Sequence, residues 1–120
     1  MKRTKKEESP KELSSLALEL IARRFRALSE PVRLRLLNVL MQGEHTVGQL
    51  VEESGFGQAN VSKHLAVLRE AGMVASRKEG LTTVCFIADA IVKDLCEMMC
   101  SRLREEMEGK AAALAFDPEI

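Results

Sequence analysis

The sequence predicts a mainly α fold with a small β-hairpin wing, a winged helix-turn-helix of order ααααββα. Three observations carry that expectation. Apolar residues recur at helical spacing through four segments before residue 72. Two short runs rich in β-branched residues then follow, joined by Glu79-Gly80. Helical spacing returns after about residue 88 and holds to Met107.

The elements follow in order. Residues 1–10 are polar and charged and read as a disordered basic tail. Leu13, Leu16, Ala17, Leu20, Ile21 and Phe25 make one face of a first helix ending near Leu28. Ser29-Glu30-Pro31 breaks the chain, and Pro31 suits a first helical turn because its missing N–H is not needed there. A second, mostly buried helix runs from Pro31 to Gln42, with Gly43 as a left-handed cap. Thr46-Val47-Gly48-Gln49 has the spacing of a capping box and opens a short third helix that Gly55 stops. Gly57 is the expected N-cap of a fourth helix, with Phe56 packing on Val61. Val61, Leu65 and Leu68 form its apolar face, and Gly72 ends it. Met73–Lys78 and Leu81–Ile87 are the expected strands. The last helix, from about Ala88, puts Val92, Cys96, Met99, Cys100, Leu103 and Met107 on one face. The domain spans 11–108, and 109–120 reads as a C-terminal tail containing Pro118.

Composition narrows the function classes. A chain of 120 residues fits one domain. Net charge is zero, yet residues 1–36 carry ten Lys/Arg against five Asp/Glu, and residues 94–120 carry three against seven. That split suits a basic surface for a polyanion and an acidic C-terminal part. Four Phe are the only aromatics, which argues against a pocket of stacking rings. No run of about 18 apolar residues suggests a membrane span, and the charged N-terminus does not read as a secretory signal. Three cysteines then read as reduced thiols in a cytoplasmic protein.

Two short helices joined by a Gly-containing turn, followed by a hairpin, carry the chemistry. Val61, Leu65 and Leu68 hold the fourth helix to the core and leave Gln58, Ala59, Asn60, Ser62 and Lys63 on its first turns. Gln and Asn can pair bidentately with adenine, Lys can donate to guanine or phosphate, and Ala allows close approach to a thymine methyl. Arg77 and Lys78 in the hairpin are placed to meet phosphates, which add affinity but no sequence information. A protein-interaction module without DNA binding is the competing reading; the intact Gln58–Lys63 turn and basic wing argue against it. A thiol enzyme would need a base beside Cys96 or Cys100, and the last helix contains no His.

The stretches LSEPVRLRLL, VSKHLAVLREAGMV and SRKEG resemble the ArsR/SmtB family of bacterial winged-helix repressors, over roughly residues 20–105. The resemblance implies a homodimer built from the first and last helices. It implies an inverted-repeat operator with each fourth helix in a major groove, and an effector that weakens DNA binding. His64 falls in the recognition helix, where the resemblance implies packing or phosphate contact. Leu13, Leu16 and Leu20 of the first helix and Val92, Met99 and Leu103 of the last are the expected dimer contacts, since a small chain with apolar stripes on both terminal helices has surface left to bury.

The sensor positions of the resembling family are largely empty. A thiolate pair in a motif like ELCVCDL is replaced by EHTVGQL, with Thr46 and Gly48 at the cysteine positions. In the last helix Asp89 and Glu105 remain from a zinc site, but its histidine positions hold Ile91 and Arg102. The second helix has no cysteine to pair with one on the last. Thiol sensing therefore rests on Cys96 and Cys100, with Cys85 as a third candidate ligand. Residues i and i+4 share a helical face, and thiolates favour As(III), Sb(III) or another soft metal ion. An oxidant or a persulfide is an alternative effector. The competing reading is packing, because free cysteine behaves as a small hydrophobe.

Overall fold

The computed structural model describes residues 12–108; the expected tails at 1–10 and 109–120 lie outside the described residues. Among the described residues five helices and three strands follow in the order α1 (Ser15–Leu28), α2 (Pro31–Leu40), β1 (His45–Thr46), α3 (Val47–Ser54), α4 (Gln58–Glu70), β2 (Val74–Glu79), β3 (Thr82–Ile87) and α5 (Ile91–Met107). This is the expected winged helix-turn-helix with one added strand.

Local chemistry sets the helix ends. Ser14 Oγ accepts from the Ala17 N–H at 3.0 Å, which starts α1 two residues later than the apolar stripe. Pro31 opens α2 as expected. That helix ends at Leu40 rather than Gln42, because bonds from Gln42 N–H to Val39 O and Gly43 N–H to Leu40 O tighten the exit into a 3₁₀-like turn. Gly43 then sits at φ 142°, outside the left-handed helical cap expected of it. The capping box of α3 is complete: the Gln49 N–H donates to Thr46 Oγ1 at 3.1 Å, and the Thr46 N–H donates to Gln49 Oε1 at 2.9 Å. Gly55 closes α3 at φ 83°, a left-handed conformation that favours glycine. Helix α5 starts at Ile91, three residues later than expected, where Asp89 Oδ1 takes the Ile91 N–H at 3.1 Å.

The sheet has strand order β1-β3-β2 and is antiparallel throughout. The hairpin pairs Val74 with Ile87 through to Glu79 with Thr82. The turn is therefore Gly80-Leu81, one residue beyond the expected Glu79-Gly80. Strand β1 was not expected. It is two residues long, too short for any period, and pairs His45 with Cys85 and Thr46 with Val84.

The core lies where α2, α3, α4 and the sheet meet. Leu36, Leu37, Leu50, Val61, Leu68 and Val92 are fully buried within it. Helix α1 contributes one buried residue, Ala27, although its apolar face is longer than that of α2. Much of the apolar surface of α1 and α5 lies outside this core, with Leu16, Leu18, Phe25, Met98 and Met99 all exposed.

Candidate nucleic-acid interface

Helix α4 divides cleanly by side. Val61, His64, Leu65 and Leu68 are buried against the core. Gln58, Ala59, Asn60, Ser62 and Lys63 are all exposed over the first two turns. The division follows from spacing: the buried set recurs at steps of three, four and one, so the polar set faces away from it. The start of α4 thus presents amide, hydroxyl and ammonium groups on a convex surface, a shape and chemistry suited to the edges of bases in a major groove.

His64 belongs to the buried side, with 8% of its surface exposed. Its Nδ1 lies 3.0 Å from Arg33 Nη1. Burial first, then the neighbouring Arg33 and Lys63 charges, hold its pKa below the ordinary 6.5. Of the two roles expected for His64, packing is the one this placement supports, because so little of the ring is open to a phosphate. Arg33 was not singled out in the sequence. It gives no local signal, since its partner lies 31 residues away.

The wing also departs from expectation. Lys78 is exposed at the hairpin end. Arg77 is exposed but engaged: Nη2 donates to Glu44 Oε1 at 2.7 Å, Nη1 to Glu44 Oε2 at 3.1 Å, and Nε to Glu79 Oε2 at 2.8 Å. Its guanidinium also lies 5.6 Å from the centre of the Phe86 ring. The hydrogen bonds from Arg77 hold the Glu44 carboxyl below the usual carboxylate range. An Arg77 engaged in this way has three of its five N–H donors and its charge committed to two carboxylates, which compete with a phosphate for it.

The three thiols divide. Cys85 is fully buried in the sheet, and burial pushes its thiol up. Cys96 packs against the core and Cys100 is partly exposed one turn on, with Arg104 Nη2 3.7 Å from its sulfur. Burial, then the proximity of Cys100, raise the Cys96 thiol. Both line a groove of about 640 Å³ between α2 and α5, beside Leu34, Met99 and Leu103. Among the described residues no group of three His, Cys, Asp or Glu is gathered to hold a metal ion. Cys85 packs in the core of its own protomer.

The expected dimer contacts also divide. Leu13, Leu16, Leu20, Met99 and Leu103 are all exposed, between 41% and 64%. Val92 is not a surface residue: it is fully buried in its own protomer and offers nothing to a partner. Leu18, Phe25, Ile91 and Met98 extend the exposed apolar surface of α1 and α5. No helix among the described residues is long and apolar enough to cross a membrane.

A recognition helix packed on a second helix through a Gly-containing turn, with a β wing behind it, defines a winged helix-turn-helix transcriptional regulator. The family model for bacterial regulatory proteins of the arsR family matches residues 30–76, which run from the start of α2 into β2. An HTH-type transcriptional regulator of Mycobacterium tuberculosis, Rv0081, is 32% identical over 97 residues, covering 80% of this chain and 85% of that protein. The chain belongs to the arsR family of bacterial regulatory proteins. It is also 42% identical over 74 residues to a probable mercury resistance operon repressor of Streptomyces lividans, where the match covers 62% of this chain and 59% of the relative. Among solved structures, a homodimeric winged helix-turn-helix DNA-binding domain from Mycobacterium bovis superposes with a TM-score of 0.73 at 28% identity. It covers 84% of this chain and 95% of that domain.

Proposed function

We propose that the chain, with 11–108 as its working unit, is a repressor that binds an inverted-repeat operator as a homodimer. A thiol-reactive effector then releases it at Cys96 and Cys100. The observation that carries the DNA half is the two-sided α4: five polar or small residues are exposed on its first turns while Val61, Leu65 and Leu68 anchor the other side. The similarity to a mercury operon repressor and to a homodimeric DNA-binding domain supports the same reading. Two-fold symmetry would set two copies of α4 in successive major grooves, one helical turn apart. Lys78 would add phosphate affinity at the wing.

The test is a mobility shift on duplexes selected from random DNA by the wild-type protein. Asn60→Ala and Lys63→Ala should abolish the shift while size exclusion still reports a dimer. An unchanged shift would sink the recognition-helix assignment.

The effector half is supported by two thiols one turn apart that share a groove with Leu34, Met99 and Leu103. The chemistry is that of soft ligands: As(III), Sb(III) or another soft metal ion, with oxidants and persulfides as alternatives. Cys96→Ser/Cys100→Ser and wild type should be compared for operator release by arsenite, antimonite, Zn(II), Cd(II), Cu(I), peroxide and a persulfide donor. One observation favours a second reading, a repressor with no cysteine-based effector: the Cys96 thiol is pushed up by burial, as a packing residue would be. A double variant that responds like wild type selects that reading.

A further inference from the structure

We infer that Arg33 is a positioning residue for DNA recognition, tying the last turn of α1 to His64 on α4 and so fixing the recognition helix relative to the dimer axis. The inference rests on the operator-binding dimer proposed above and adds the residue that connects its two halves. One guanidinium spans three helices. From the first turn of α2, Arg33 Nε donates to Ala27 O at 2.7 Å and Nη2 donates to Arg26 O at 3.2 Å. Both carbonyls belong to the end of α1, whose own continuation is blocked by the turn into Pro31. The remaining arm, Nη1, reaches His64 Nδ1 at 3.0 Å. Arginine only donates, so Nδ1 must be the acceptor and the ring proton must sit on Nε2. The contact therefore requires neutral His64.

This placement matters because α1 makes few other ties to the body of the protomer. Ala27 is its only buried residue, while Leu16, Leu20 and Phe25 face outward. If that outward face meets a second copy, the angle between the dimer axis and α4 depends on how α1 is fixed to α4. Apolar packing at Ala27 is non-directional, whereas a planar fork with three acceptors sets both distance and orientation. Lysine at this position would keep the charge and lose the fork.

The charged groups around His64 are Arg33 and Glu30 at the start of α2 and Lys63 on its own helix. Arg23 and Arg26 of α1 and Glu70 of α4 lie along the adjoining groove. Cations outnumber carboxylates there, so protonating the imidazole would add like charge as well as remove the acceptor. The contact is present while His64 is neutral and is lost as pH falls through its folded-state value, which lies below 6.5.

The test uses the full chain, operator duplexes selected by wild type, and versions with the half-sites moved one base pair closer or farther. Arg33→Lys should remain a dimer, bind random-sequence duplex as wild type does, and lose at least about fivefold in operator affinity together with its preference for one spacing. His64→Phe should do the same, and the Arg33→Lys/His64→Phe pair should be no worse than either alone. His64→Asn restores an acceptor near the Nδ1 position. It should keep wild-type spacing preference and lose the fall in affinity expected of wild type as pH drops below 6.5. Equal losses on operator and random duplex, multiplying losses in the pair, or a pH profile unchanged in His64→Asn would each overturn the positioning role. A wild-type protein that selects no duplex would overturn the operator reading itself, and the positioning role with it.

Discussion

Arg77 shows how a side chain of the expected type, in the expected place, can be committed elsewhere. The sequence marks a basic wing at Arg77-Lys78, and both residues stand there. What it does not show is that Glu44, 33 residues earlier, returns beside the wing through the β1 pairing. The resulting bidentate clamp, with Glu79 as a third partner, competes with phosphate for one guanidinium. Glu44→Gln should loosen it. The expected outcome is a severalfold gain in duplex affinity and a log K against log[salt] slope steeper by about one, as for one added phosphate contact. Mobility shifts at four salt concentrations would measure both, and an unchanged slope would mean that Arg77 serves only to brace the wing. The clamp survives mild acid. Its stabilisation is present above the ordinary carboxylate value of 4.5 and is lost only as pH falls through the lower folded value.

At the scale of elements, what was legible was what a short local pattern determines. The T-V-G-Q spelling of the α3 start contains both partners of its capping box, so four residues suffice to read it. Replacing Thr46 by Ala removes the acceptor for the Gln49 N–H and should cost about 1 kcal/mol. Chemical denaturation would show it as a lower midpoint at unchanged slope. A cost near zero would mean that the β1 pairing of Thr46 with Val84 holds this segment without the cap. Elements defined by distant partners were not legible. Strand β1 exists only because β3 offers it an edge, and two residues carry no alternation to detect. The start of α5 was placed early for a related reason: Ala88, Asp89 and Ala90 tolerate a helix, and only the Asp89 side-chain bond to the Ile91 N–H shows where it begins. Cys85 is fully buried, in line with the packing reading of a free cysteine. The α4 face was legible for the same periodic reason, while the Arg33 contact that holds His64 was not.

For the whole molecule, the main ambiguity is that periodicity reveals a face to be buried without revealing by what. The stripes on α1 and α5 look alike in sequence and meet different fates. Val92 and Leu103 lie on one stripe of α5, yet Val92 is fully buried and Leu103 is 41% exposed. Eleven residues of helix separate them, about 16 Å of rise, so the far end of α5 projects past the small core that covers its start. Helix α1 behaves similarly along most of its length. Six apolar side chains from Leu13 to Phe25 are at least 40% exposed, and charged residues do not interrupt the set at every turn. Solvating so much apolar surface on a 120-residue chain is unfavourable, and a two-fold partner offering the same stripes would cover it. Leu16→Glu with Leu103→Glu should therefore convert the protein to a monomer on size exclusion while leaving its thermal unfolding cooperative, since neither side chain is in the protomer core. Operator affinity should fall by about a thousandfold or more, toward the non-specific level, because a monomer engages one half-site only. A double variant that stays dimeric would place the interface on another surface. One that is monomeric yet binds the full operator as tightly as wild type would remove two-fold symmetry from the recognition mechanism.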